Sequence, residues 1–413
     1  MKLSLPYGKA EQMTVRLPDH RVAGVIGPNE VPIGDEPEVL RAALSRPIHA
    51  PPLGRFMAGA SEVLFLVNDA TRPTPTARVL DVIEPDLEGV RARFLVATGI
   101  HRAPTEEEYR HIFGRHYDRL RGQVLAHDAR RDEVVALGAS RAGTTMEVNR
   151  LAAEAERIVI IGSVEPHYFA GYTGGRKSFL PGVASYATIE QNHRLAMRKE
   201  ARALALEGNP VHEDMMDALG SVRKDIFSIQ TVLDKRHRIY AAFAGHIHDS
   251  FLAATEAAKR VFAAPVPERA DIVVSVVQYP QDVDLYQAQK GIENGKLALR
   301  EGGILILLAK CRMGMGEAAF AELLGASDNP PHALDRIGSR YRLGFHKAAK
   351  MAECALGAQM WAVTSLPPAL LPPLFLRPFQ SLQAALDAAL VEKGPEAKVL
   401  FLTDGGMAVP LVD

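Results

Sequence analysis

Cysteine is nearly absent: two in 413 residues. Cys311 and Cys354 lie in no Cys-x-x-Cys pair and cannot build a disulfide framework, which suits a reducing compartment and predicts a cytoplasmic protein. One tryptophan and 6% aromatics leave little surface on which bases could stack. A formal net charge of −1 gives no field to draw nucleic acid or an anionic membrane. No uninterrupted apolar run is long enough to cross a bilayer. The opening residues, Met1 to Gly8, read as a strand and lack the apolar core of a secretory leader. Repeats and low-complexity tails are missing. Neither nucleic acid nor a membrane is therefore expected as a partner.

What is present suits a soluble enzyme: 47% hydrophobic and 23% charged residues, in a chain long enough for two or three domains. Short β-rich apolar runs alternate with helical patterns. Strands are predicted at 62–68, 93–97, 157–163, 226–232, 239–243, 272–277, 304–308, 359–363 and 399–402. Helices are predicted between most of them, at 76–82, 104–113, 250–262 and 382–391 among others. Apolar strands alternating with helices indicate an α/β fold with mostly parallel sheets. The Pro-rich break Ala264-Pro-Val-Pro-Glu268 marks a boundary. It predicts an N-terminal α/β domain over 1–267 and a C-terminal α/β domain over 268–402, with 403–413 returning to the first.

Ligands of α/β sheets collect at the carboxyl ends of strands, and four polar clusters follow predicted strands here. Asn68-Asp-Ala-Thr-Arg-Pro-Thr-Pro75 carries Asp69 and Arg72, an arginine fork suited to a carboxylate or phosphate; the plainer reading is a turn capped by Asp69. Thr98-Gly-Ile-His-Arg102 offers His101 as a general base, against a solvated loop histidine. Tyr286-Gln-Ala-Gln-Lys290 spaces Gln287 and Lys290 on one helix face, against an ordinary wet face. The fourth cluster, His167-Tyr-Phe-Ala-Gly-Tyr-Thr-Gly-Gly-Arg-Lys-Ser178, is the most specific. Its glycines, Gly174 and Gly175 among them, let backbone amides approach an anion, and Lys177 supplies a cation or an amine nucleophile. It nearly spells a P-loop, but Arg176 stands where the second glycine belongs, which should spoil the phosphate cradle. An ATP-dependent, P-loop-like kinase is the alternative. His193 has no metal-spaced protein partner, and the remaining histidines read as surface residues or form no constellation.

Together these motifs resemble the lactate racemase family, enzymes that use a nickel-pincer nucleotide to racemise or epimerise 2-hydroxy acids. The matching residues are Asp69-x-x-Arg72-Pro-x-Pro, Thr98-Gly-x-His101-Arg, Glu165-Pro-His167, Gly174-Gly-x-Lys177, Asn192-His193 and Gln287-x-x-Lys290. The resemblance implies a nickel-bearing pyridinium-3,5-bisthiocarboxylic acid mononucleotide, which can be tethered through a thioamide to Lys177. It implies His193 as the protein ligand to nickel and His101 and His167 as the two catalytic histidines. Asp69, Arg72, Gly174 and Gly175 then belong to cofactor binding. Arg72, Gln287, Lys290, Tyr286 and Trp361 become substrate contacts, with Asp69 orienting Arg72 or binding the ribose. The expected partners are a small 2-hydroxy acid and the enzymes that build the cofactor. The expected architecture is two α/β domains with the site in an interdomain cleft.

Such a cofactor answers a chemical need. The C2–H of a 2-hydroxy acid is a very poor acid beside a carboxylate. General acid–base catalysis contributes roughly 10²–10⁴-fold, short of the 10⁶-fold or more typical of enzymes. Reversible hydride transfer avoids the carbanion, with one histidine removing the hydroxyl proton and the other returning it. A non-catalytic carrier of the nickel nucleotide is the remaining alternative.

Overall fold

In the computed structural model, residues 1–412 are described. The chain divides into two compact units, Glu30–Val261 and a split unit of Met1–Asn29 with the chain from Phe262 on. The first strands are a hairpin, β1 (Lys2–Tyr7) and β2 (Glu11–Arg16), then β3 (Val22–Ile26).

The continuous unit carries a six-stranded sheet. Its strands are β4 (Val63–Asn68), β5 (Ala92–Ala97), β6 (Val124–Ala126), then, past the hairpin β7 (Val134–Ala139) and β8 (Thr145–Asn149), β9 (Arg157–Ser163). A two-residue pair follows, β10 (Pro166–His167) with β11 (Gly171–Tyr172), before β12 (Asp225–Leu233) and β13 (Ile239–His246) complete the sheet. The spatial order is β13-β12-β9-β4-β5-β6, parallel except for β13. Val63, Phe65, Val67, Phe94, Val159, Ile161, Phe227 and Ile229 meet Val79, Leu80 and Ile83 of helix Thr76–Ile83 in one core. Helix Glu106–Phe113 starts at a Thr105/Glu108 capping box, which satisfies two end amides at once.

In the split unit, β14 (Ala263–Val266) leads to β15 (Ala270–Val276), β16 (Leu299–Leu308), β17 (Gln359–Val363), β18 (Leu376–Pro378), β19 (Val399–Leu402) and β20 (Val409–Val412). Its parallel sheet runs β18-β17-β16-β15-β19-β3. Leu5, Tyr7, Val15 and Leu17 of the hairpin are buried with Ile272, Ile304 and Phe401. No helix of the described residues is long and apolar enough to cross a membrane.

The sheets and helices fall where the apolar runs predict them, with ends shifted by a few residues. The domain limits need correction. The first 29 residues join the C-terminal unit, because β3 pairs with β19. Residues 403–412 stay in that unit too, because β20 pairs with β14. Local periodicity shows neither pairing, since both partners are distant in sequence.

Candidate active site

Strands β9, β4 and β5 are neighbours and point the same way. Their carboxyl ends therefore carry the Glu165–Ser178 segment, the Asp69–Arg72 turn and the His101 loop side by side. This is the place where parallel sheets hold ligands.

At the end of β4, Asp69 is almost fully buried. Its Oδ1 accepts from Thr71 N (3.1 Å) and Thr71 Oγ1 (2.6 Å), and its Oδ2 lies 2.7 Å from His101 Nδ1. Burial pushes the Asp69 carboxyl up. The hydrogen bond and charge of His101, the charge of Arg72 and the Thr71 hydroxyl outweigh that and hold it below the usual carboxylate range. The His101 side chain is 36% exposed, open on one side and backed by a carboxylate on the other. Asp69 was expected to orient Arg72 or hold a ribose, but its side-chain bonds go to Thr71 and His101. Arg72 meets Asp69 through the backbone, Arg72 N donating to Asp69 O at 3.1 Å.

After β9, three expected site residues converge on one ring. Phe169 lies 4.5 Å from the His167 ring and 5.0 Å from the His193 ring, centroid to centroid. The Lys177 ammonium sits 5.6 Å from its centroid. His167 belongs to the short pair β10/β11, and its Nδ1 accepts from Ala170 N at 3.3 Å. His193 lies in the last turn of helix Tyr186–Arg194, which Ser185 caps. Its Nδ1 is 3.2 Å from Asn192 Oδ1. Asn192 in turn donates to Asp214 Oδ2 at 2.8 Å, which fixes its oxygen toward the histidine. A ring whose Nδ1–H is held by such an acceptor presents Nε2 as a ligand lone pair.

Gly174 and Gly175 have positive φ, +82° and +51°. A β-carbon at Gly174 would lie 2.5 Å from Gln230 Oε1, and one at Gly175 would lie 2.9 Å from the Phe251 ring. Gln230, wholly buried on β12, accepts from Gly175 N at 3.2 Å. Sequence reading missed Gln230; the signal was the polar run Ser228, Gln230 and Thr231 inside a strand whose other central residues are apolar. The segment closes as a short 3-10 turn, Gly175–Ser178, and the next α-helix starts only at Tyr186. A P-loop needs a helix N-terminus directly at its lysine, so the kinase alternative is contradicted by the geometry.

In the split unit, Tyr286, Gln287 and Lys290 lie on helix Leu285–Gly295, capped by Asp284. The Lys347 ammonium covers the Tyr286 ring at 3.7 Å, so that ring is not a bare apolar wall. Trp361 needs correction. It is 1% exposed in the centre of β17, stacked on Phe379 at 4.8 Å inside the core, and is a packing residue rather than a substrate contact. Four histidines read as surface or featureless are also buried, His116, His127, His212 and His346; His116 is bonded to Asp81 at 2.8 Å and His127 to Ala184 O at 2.9 Å.

Among the described residues, no three His, Cys, Asp or Glu side chains are grouped to hold a metal ion. A metal at His193 would take its other ligands from a bound group. The glycine cradle, the Lys177 amine and the His193 imidazole suit such a group.

The sequence pattern of the lactate racemase N-terminal domain matches residues 7–205, and that of the C-terminal domain matches 266–409. The lactate racemase of Thermoanaerobacterium thermosaccharolyticum is 35% identical over 82% of this chain and 82% of its own. The lactate racemase of Lactiplantibacillus plantarum is 30% identical over 98% of both. The structure of the T. thermosaccharolyticum lactate racemase apoprotein covers all of both chains with a TM-score of 0.92 at 30% identity. A Thermotoga maritima protein shares the fold at a TM-score of 0.70 and 18% identity, covering 92% of this chain and all of its own.

Proposed function

The chain belongs to the lactate racemase family, and from that premise we propose that it racemises or epimerises C2 of a 2-hydroxy acid with a nickel-pincer nucleotide. The observation that carries the reading is the pair of differently held histidines that follow the parallel strands β5 and β9, one on each side of β4. When bound, the cofactor supplies a hydride acceptor for the substrate C2–H.

The two histidines are set in opposite states. His101 donates Nδ1–H to Asp69, so its Nε2 carries the lone pair and takes the hydroxyl proton. His167 accepts at Nδ1 from Ala170 N, so its Nε2 carries a proton and serves as the acid. Inversion uses both, and the roles exchange when the reaction runs the other way. Lys177 and His193, which share the Phe169 ring with His167, are the proposed tether and nickel ligand. Arg72, Gln287 and Lys290 are proposed for the substrate carboxylate, where an arginine fork or an ammonium gives charge-assisted bonds.

The test is protein made together with the cofactor-building enzymes. Intact mass and nickel content report loading, and a panel of chiral 2-hydroxy acids, lactate and malate included, reports loss of optical purity. His101→Ala and His167→Ala should each lower turnover by roughly 10²–10⁴-fold with nickel retained. Full turnover in either variant would remove the two-histidine mechanism. Lys177→Ala should lose the covalent mass increment; loading without any increment in the parent protein would leave cofactor binding but not the tether. Nickel uptake with no change at C2 of any acid would make the protein a carrier.

A further inference from the structure

Arg176 interrupts the glycine loop, and its side chain points to neither solvent nor an anion. It is 1% exposed. Its Nη2 donates to Ala170 O at 2.7 Å, and its Nη1 lies 3.3 Å from Gly174 O and 3.4 Å from Thr173 O. The guanidinium carbon is 4.4 Å from the Phe251 centroid, on helix Ile247–Phe262. Burial pushes the guanidinium down to about 9, with no carboxylate offsetting it. A buried cation without a carboxylate is costly, so the compensation here is the set of loop carbonyls and the ring.

Those carbonyls belong to the residues just before the 3-10 turn. With Gly171, Gly174 and Gly175, the segment loses more chain entropy on ordering than it would with side chains at those positions. Something must hold it, and the planar fork of arginine can bond two carbonyl directions while stacking on a ring. The next residue is Lys177, 9% exposed.

We propose that Arg176 is a positioning residue for Lys177, tying the turn to the carbonyls of Ala170, Thr173 and Gly174 and to Phe251 so that the amine is held at the Phe169 ring. The inference takes its importance from the proposed role of Lys177 as tether, but the test needs no cofactor. Apoprotein is treated with a water-soluble activated acetate ester, and acetylation is followed lysine by lysine by peptide mass spectrometry. The exposed Lys2 and Lys199 on the same chain are the references.

In Arg176→Met the Lys177 rate should rise at least fivefold with the references unchanged. Arg176→Lys should fall between, since it keeps the charge and loses the plane. A Lys177 rate within twofold of the parent in folded Arg176→Met overturns the proposal. So does an equal rise at all three lysines, which would be general loosening. Where Arg176→Met does not fold, Phe251→Leu decides: removal of the ring should at least double the Lys177 rate, and an unchanged rate overturns the proposal. Accelerated acylation in a protein that never takes up nickel would uphold the positioning and remove the cofactor reading.

Discussion

The Asp69 carboxylate is surrounded by Thr71 N, Thr71 Oγ1 and His101 Nδ1. A hydrogen bond to a charged group is worth about 1.5–3 kcal/mol, so Asp69→Asn should weaken both the His101 tautomer and the fold. We expect turnover of the loaded enzyme to fall at least tenfold, by less than in His101→Ala, with little change in nickel content; steady-state kinetics and metal analysis check both. The sign of the pH effect follows from the lowered Asp69 value. The stabilisation is present above the unfolded carboxylate value, about 3.9, and is lost as pH falls through the lower folded value. Urea titrations from pH 5 downward should show that loss in the parent protein and a shallower one in Asp69→Asn. His101 was legible in the sequence as a strand-end histidine after glycine. Its partner was not, because the two lie on different strands, and only the β4/β5 pairing brings them within 2.7 Å.

At the level of elements, the glycine segment and the helices under it depend on each other. Gly174→Ala puts a β-carbon against Gln230 and Val164 at a positive φ. Overpacking of this kind typically costs about 1–3 kcal/mol, measurable as a lowered urea midpoint, and cofactor loading should drop with it. Helix Pro210–Leu219 brings His212 close to Phe251, Arg176 and His248. Burial, then the charges of Arg176 and His248, push His212 down to about 3. The unfolded chain binds this proton below about 6.5 while the folded one does not. Stability should therefore fall with pH across that window, by up to about 1.4 kcal/mol per pH unit from this group. His212→Leu should flatten that slope in denaturant titrations between pH 6.5 and pH 4. An unaltered slope would mean that His212 takes up its proton in the folded state as well. His212 gave no signal in the sequence, since its neighbours come from other elements.

At the scale of the molecule, the continuous unit is an insertion between two parts of the split unit. Asn29 Nδ2 donates to Ala263 O at 2.7 Å, so the chain leaves the split unit and returns to it at adjacent points. A fragment of residues 30–261 should fold alone, with a cooperative urea transition. Residues 262–413 should not, because Leu5, Tyr7, Val15 and Leu17 would be missing from their core. Joining Asn29 to Phe262 through a short glycine linker should restore folding, as circular dichroism would report. The sequence by itself determined the α/β class, most strands and helices, and the motifs at strand ends, because apolar periodicity and glycine spacing are local properties. It also marked His101, His167, Lys177 and His193 through family resemblance. Tertiary structure alone decided that the first 29 residues belong with the C-terminal half, that Trp361 is core, that Asp69 serves His101, and that Arg176 faces inward. Each of these rests on contacts between segments far apart in the chain, set by strand order and burial, and a one-dimensional pattern carries no record of either.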